Sequence, residues 1–297
     1  MTNSSSTTAA AAADLVGRTV LITGATSGIG KATAAAVAAR GARVVLAVRD
    51  TDKGDHVAAE LPGVAGGHVV RDLDLADLAS VRRFADETTE EIDVLVNNAG
   101  VSESTLRRTR DGFESQFGTN HLGHFLLTTL LLPRITSRVV TVSSQAERMG
   151  RLDLTDLNWR TRPYAGGRAY ADSKLANLMF TLELDRRLRD AGSPVRALAA
   201  HPGLVVTPIY DRPAGTRRGL WDLVLPVLGQ GPDQGALPLL LAMTADLPGG
   251  TFTGPQHMAH MRGGAQAITT SARAKDTALQ ADLWAASEEL TQIVTTR

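Results

Sequence analysis

Thr19-Val20-Leu21-Ile22-Thr23 is a β-branched run that stops at Gly24-Ala25-Thr26-Ser27-Gly28-Ile29-Gly30, and an alanine-rich helical pattern continues to Arg40. A strand, a glycine turn and a helix in that order bring backbone N–H groups and the positive helix end to a phosphate without side chains in the way. The turn also has a purely structural reading. Two better-known glycine motifs are absent. A P-loop ending at Gly30-Lys31 needs Gly where Ala25 stands and Ser or Thr where Ala32 stands, and the glycines fall as G-x-x-x-G-x-G rather than G-x-G-x-x-G.

The rest of the chain repeats the alternation. Ala42 to Val48 reads as a strand, Thr51 to Leu61 as a helix, His68 to Arg71 as a strand and Leu78 to Glu90 as a helix. Val94 to Val96 follows as a buried strand ending at Asn97-Asn98-Ala99-Gly100, whose small residues permit close backbone approach to a ligand. A long helix is expected from Asp111 toward Leu132. Asn120 and Gly123 are poor residues inside it, which points to a kink or a site. Arg138 to Val142 and Val195 to Ala200 read as strands ending at Ser143-Ser144 and at His201-Pro202-Gly203. Pro232 to Ala245 reads as a helix, Thr251 to Thr253 as the last strand and Asp276 to Val294 as the terminal helix. This order predicts one α/β domain over residues 14–297, a doubly wound, Rossmann-type parallel sheet with helices on both faces. Ligands are expected at the carboxyl ends of its strands. The Pro-, Gly- and Arg-rich stretch from Thr207 to Gly235 is expected to form a flap over that site.

Two strand ends bear on the nucleotide. NAD sites place an acid about 20 residues beyond the first glycine, whereas an Arg there suits a 2′-phosphate. Arg49 occupies that corner with Asp50 behind it, so NADP(H) is preferred and NAD(H) remains open. Asp74 suits an adenine amine or the cap of the following helix.

Ala169 to Leu188 carries Leu175, Leu178, Met179 and Leu182 at helical spacing, which sets Tyr170 and Lys174 on one helix face. A phenol with an ordinary pKa of about 10 transfers protons poorly at neutral pH. A cation about 4–6 Å away is worth roughly 3–4 kcal/mol at an effective dielectric near 20, enough to bring the phenol toward working range. The chain has lysine only at 31, 53, 174 and 275 and otherwise uses arginine, so a compact, tunable charge at 174 stands out.

With 297 residues, 43% of them hydrophobic, and no net charge, the chain can bury a large core and lacks the basic surface that nucleic acid or an anionic membrane attracts. Small molecules are the expected partners. The absence of cysteine excludes disulfides, a thiolate nucleophile and cysteine-based metal sites, and fits a cytoplasmic protein. Residues 1–13 read as a disordered tail rather than a signal peptide, and the longest apolar patch, Phe125 to Pro133, is too short to span a bilayer. His121 and His124 lack neighbouring acids or cysteines, so no metal site is expected. A serine hydrolase built on Ser144 and His201 would need a G-x-S-x-G elbow that the chain does not have.

Taken together, Thr23-Gly24-x-x-x-Gly28-Ile29-Gly30, Asn97-Asn98-Ala99-Gly100, Asn120, Ser144, Tyr170-x-x-x-Lys174 and Pro202-Gly203 resemble the short-chain dehydrogenase/reductase family over roughly residues 15–256. Val48-Arg49-Asp50, the run Asn120 to Thr128 and Ser173-Lys174-Leu175-Ala176-Asn177 resemble its retinol-dehydrogenase and WW-domain-oxidoreductase branch, as does the long spacer between Ser144 and Tyr170. The resemblance implies an NADP(H)-dependent alcohol dehydrogenase or carbonyl reductase, with a non-catalytic NADP(H)-binding regulator as the alternative. It implies Tyr170 as general acid or base, Lys174 as the group that lowers its pKa and holds the nicotinamide ribose, Ser144 (rather than Ser143) on the substrate oxygen, and Asn120 holding a water that links Lys174 to solvent. Gly24, Thr26, Ser27, Gly28, Ile29, Gly30, Asp74, Leu75, Asn98, Ala99, Gly100, Pro202, Gly203 and Thr207 would line the cofactor. Relatives are usually dimers or tetramers. The membrane-anchoring segment of many retinoid enzymes is missing from the sequence, so retinol is not carried over as substrate.

Overall fold

The computed structural model describes residues 15–205 and 229–293. Its first half alternates β1 (Thr19–Thr23), α1 (Gly28–Ala38), β2 (Arg43–Val48), α2 (Thr51–Glu60), β3 (Val69–Asp72), α3 (Leu78–Glu87) and β4 (Ile92–Asn97). Then come α4 (Ser115–Phe117), a π-helical turn (Gly118–Leu122), α5 (Gly123–Leu131), β5 (Ile135–Val142), α6 (Gly166–Asp190) and β6 (Arg196–Ala200). Beyond residue 228 lie α7 (Pro232–Thr244), β7 (Phe252–His257), β8 (Arg262–Ile268) and α8 (Thr277–Thr291).

The described strands form one sheet in the order β3-β2-β1-β4-β5-β6-β7-β8, parallel throughout except for the antiparallel pair β7 and β8. The period-two alternation of buried strands divides the core into two apolar layers. Val20 and Ile22 of β1 share a layer with Val37 of α1 and Leu239 of α7. Leu21, between them, belongs to the opposite layer with Phe125 of α5 and Phe180 of α6. With helices on both faces and a strand order that reverses at β1 and β4, the architecture is the doubly wound, Rossmann-type sheet that the alternation implies.

Four local expectations are corrected. Thr251 to Thr253 does not hold the last strand: β7 runs on to His257, and β8 adds an antiparallel edge that Gly263 and Gly264 hide from any strand pattern. The helix expected from Asp111 begins at Ser115, because the Asp111 carboxylate instead accepts from the Leu78 N–H at 3.0 Å. Asp74 does not cap α3. Asp77 does, accepting from Ala79 N and Ser80 N, while Asp74 accepts from Ala76 N. Residues 232–235, placed in the Thr207 to Gly235 flap, belong to α7; residues 207–228 of that flap, Thr207 included, and the 1–13 tail lie outside the described residues.

Asn120 and Gly123 do mark an irregularity, the π-helical turn. A capping side chain typically contributes about 1 kcal/mol, so Asp77→Ala should lower stability by about 1 kcal/mol in urea unfolding. Asp74→Ala, whose residue caps nothing, should lie within about 0.5 kcal/mol of wild type.

Candidate active site

The site grows from the end of β1. Gly24 has φ +68, and a Cβ there would stand 2.9 Å from Ala99 Cα, so only glycine lets the turn lie against the end of β4. Helix α1 then starts with no side-chain cap on Ser27 and no acid in its first turn, whereas Asp50, Asp77 and Asp276 cap α2, α3 and α8. The first N–H groups of α1 thus point, uncapped, at a crevice of about 1010 Å³. Gly24, Thr26, Ser27, Gly28, Ile29, Gly30, Arg49, Asp74, Leu75, Asn98, Ala99 and Gly100 all line it. That volume is at the upper end of the roughly 300–1,000 Å³ typical of ligand pockets and suits an extended dinucleotide.

Lys53 and Arg107 also line the crevice, and sequence reasoning missed both. Lys53 had a readable signal, one helical turn beyond Arg49. Its ammonium lies 2.7 Å from the Asp50 carboxylate, whose other oxygen caps α2. The hydrogen bonds from Lys53 hold the Asp50 carboxyl below the usual carboxylate range. The acid behind Arg49 is thereby matched by a cation.

At the carboxyl ends of β4 and β5, α6 contributes Tyr170 and Lys174. Their side chains share one face, with Lys174 Nζ 5.6 Å from the Tyr170 ring centroid. The ammonium is buried and donates to Val142 O at 3.1 Å, and loss of hydration pushes its pKa down to about 8. The two serines after β5 are not equivalent. Ser143 donates to Lys174 O at 2.7 Å, whereas Ser144 accepts from Ala146 N at 3.2 Å and keeps its hydroxyl hydrogen for another acceptor.

Asn120 is fully buried in the π-helical turn. Its amide pairs with both backbone groups of Val101, at 2.8 and 3.0 Å, and its Nδ2 also donates to Ser173 Oγ. A Cβ placed on Gly100 would stand 3.4 Å from Asn120 Oδ1 and 3.6 Å from Lys174 Nζ, so the three meet beside the crevice. The Asn120 main-chain oxygen accepts from His124 Nδ1 at 3.0 Å. Since a carbonyl can only accept, Nδ1 carries the proton and Nε2 accepts from the Thr23 hydroxyl at 2.9 Å. Burial above all pushes the His124 pKa down to about 4, so the ring stays neutral as this arrangement requires.

His121 lies in the core, 2.9 Å from Ser287 Oγ and 5.0 Å from the Phe117 ring. Pro202 and Gly203 follow β6; like Ser144, Tyr170 and Lys174 they stand at the carboxyl edge of the sheet, outside the lining of the crevice itself. His201 is buried, accepts from Gly203 N at 3.3 Å and is pushed by burial down to about 3, which makes it a fixed acceptor rather than a base.

Lys174 has a testable cost. Below about pH 8 the ammonium is charged in both folded and unfolded chains, and its burial opposes folding in full. Between about 8 and the ordinary 10.5 the folded chain binds fewer protons, so wild-type stability recovers as pH rises. Val142 O keeps a second donor, Asn177 Nδ2 at 3.1 Å. Lys174→Met should therefore be more stable than wild type by about 1–3 kcal/mol at pH 6.5, with the advantage shrinking by pH 9.5 in denaturant titrations.

The chain is similar to several known proteins. Human retinol dehydrogenase 13 is 48% identical over 204 residues, covering 66% of this chain and 61% of that protein, so the match spans under two thirds of this relative's length. Mouse retinol dehydrogenase 11 is 44% identical over 243 residues, covering 78% and 75%. Among solved structures, an uncharacterized protein from Mycobacterium paratuberculosis superposes with a TM-score of 0.81 at 50% identity, over 96% of this chain and 97% of that one. A short chain dehydrogenase from Burkholderia cenocepacia in complex with NADP shares the fold, with a TM-score of 0.64 at 24% identity over 81% and 96%. The family model described as short chain dehydrogenase matches residues 18–213, more than half the chain, and the chain belongs to that family of oxidoreductases.

Proposed function

We propose that the protein is an NADP(H)-dependent oxidoreductase that interconverts a carbonyl and an alcohol, with Tyr170 as its general acid or base. The observation that carries this reading is the shared face of Tyr170 and Lys174, 5.6 Å apart, beside a crevice lined by the glycine turn. The nicotinamide, when bound, gives or takes the hydride. The uncapped start of α1 would hold the diphosphate, with Ser27, Gly28, Ile29 and Gly30 supplying the turn. Asp74 and Leu75 would flank the adenine, and Asn98, Ala99 and Gly100 the adjoining ribose.

Arg49 supports the NADP(H) preference because a cation at that strand end suits a 2′-phosphate, and the Lys53 ammonium keeps Asp50 from opposing it. In the reducing direction Tyr170 would hand its phenolic proton to the substrate oxygen while the Ser144 hydroxyl donates to the same oxygen. The cation of Lys174 favours the phenolate left behind. Asn120 would act on Lys174 from behind, through Val101 and Gly100, and its main-chain oxygen already accepts from His124.

The relatives named retinol dehydrogenases make retinoids one class to test among aliphatic, aromatic and steroid carbonyls. The reading is tested by following nicotinamide absorbance over such a panel with wild type and Tyr170→Phe. Wild type should turn over at least one member. Tyr170→Phe should bind NADPH as wild type does and lose a factor of about 10²–10⁴ in kcat. Full retention of turnover by Tyr170→Phe would remove it as the acid.

Nucleotide choice is read separately. Arg49→Ala should raise the NADPH dissociation constant about 10- to 100-fold, the usual weight of a charged hydrogen bond, and leave NADH binding within about twofold. An equal change for both nucleotides would contradict the 2′-phosphate assignment.

A further inference from the structure

Beyond β6 the turn Pro202-Gly203-Leu204-Val205 leaves the sheet, and something other than the strand ladder holds it. Gln230 is buried, with 6% of its surface exposed, and touches this turn twice. Its main-chain N–H donates to Leu204 O at 2.8 Å, next to an isolated parallel bridge between Val205 and Gln230. Its side-chain Nε2 donates to Pro202 O at 2.8 Å, and its Oε1 accepts from Gly263 N at 3.0 Å. A carbonyl on one side and an N–H on the other leave the amide a single orientation.

The third member is the turn joining β7 and β8. Met258, Ala259 and His260 have φ of 53, 52 and 66, three successive non-glycine residues in a conformation that L-residues adopt rarely. This turn puts Met261 O 2.8 Å from Leu204 N. The fit at Gly203 is close: φ is +83, and a Cβ would fall 2.5 Å from Met261 O and 2.8 Å from Gln230 Nε2. The hairpin, the glutamine and the turn interlock, and within that contact the Gln230 amide is what ties Pro202 to β8.

We propose that Gln230 is a positioning residue whose amide, wedged between Pro202 and Gly263, fixes the Pro202–Gly203 turn for the nicotinamide end of the cofactor. The proposal rests on the NADP(H) function proposed above and on the family resemblance, which implies that Pro202 and Gly203 line the cofactor beyond the crevice described. Gln230 is not placed against the cofactor itself; it acts through the turn.

The test uses the full chain and three variants. Gln230→Met keeps the side-chain volume and removes both hydrogen bonds. Gln230→Glu keeps an acceptor for Gly263 N and loses the donor to Pro202. Gln280→Met is the control, because Gln280 is also buried and hydrogen-bonded, to Ala274 O at 2.6 Å, in a different part of the fold. Amide hydrogen exchange at Gly203 and Leu204 without nucleotide, the NADPH dissociation constant, and kcat and KM for the fastest wild-type substrate are measured. Gln230→Met should speed exchange at both amides and weaken NADPH binding, each by about tenfold, the weight of the one buried hydrogen bond of the pair that reaches the turn, the one to Pro202 O. Gln230→Glu should move the same quantities in the same direction and serves in its place if Gln230→Met does not fold. Gln280→Met should lower Tm and leave exchange at 203 and 204, and NADPH affinity, as in wild type.

Exchange and NADPH affinity within twofold of wild type in the folded Gln230 variant would overturn the proposal. A wild type that binds no nicotinamide nucleotide would sink the cofactor reading instead. In that case faster exchange at Gly203 and Leu204 in Gln230→Met still supports the tether, and unchanged exchange rejects it.

Discussion

Two backbone amides, those of Asn98 and Ala99, converge on one buried hydroxyl, that of Thr23, at 2.9 and 3.0 Å. Without it both half-buried amides would lose this partner, at up to about 1–3 kcal/mol each. The same oxygen passes its own hydrogen to His124, which passes another to the main chain of Asn120. Asn120 in turn holds Val101, one residue from the glycine that sits beside Lys174. One run of hydrogen bonds thus joins the strand that carries the glycine turn to the helix that carries Tyr170. Each link has a fixed direction, and the direction depends on an uncharged imidazole, which burial secures.

Lys174 makes the opposite bargain. An ammonium taken from water is costly, and among the described residues its hydrogen-bond acceptor is a carbonyl, that of Val142. A core chosen for stability alone would place an apolar residue there. The side chains around it are arranged so that the cost is tolerated: Asn177 shares the Val142 carbonyl, and Ser143 binds the Lys174 main chain, one residue from the serine whose hydroxyl hydrogen finds no acceptor among the described residues.

Legibility in the sequence followed the period of each signal. Tyr170 and Lys174 are readable because a helix repeat puts residues four apart together, and the glycine turn because strand and helix patterns flank it. The alternation of strands and helices gave the sheet with helices on both its faces. Features that depend on distant partners were hidden. Asp74 and Asp77 look alike as caps, and only the start of α3 distinguishes them. β8 carries no alternation because Gly263 and Gly264 interrupt it, and only its pairing with β7 reveals it as a strand. His121 of the π-helical turn and His124 of α5 gave no hint of their partners, since Ser287 and Thr23 lie far off in the chain. Gln230 was invisible for the same reason: its amide spans segments that the fold alone brings together.

The π-helical turn bears on how the chain tolerates change. A π turn holds one more residue than an α-helical turn, and each residue of a helix advances it by about 100°. Losing a single residue between Gly118 and Leu122 would let α4 and α5 merge into one regular helix, locally more favourable, with every backbone bond in its usual place. It would also swing the two halves past each other by that angle, carrying Asn120 away from Val101 or Phe125 away from its place against Phe180 and Trp284. The irregularity is therefore a phase adjustment between a polar face and an apolar one, and a more perfect helix would be a worse fit to this molecule.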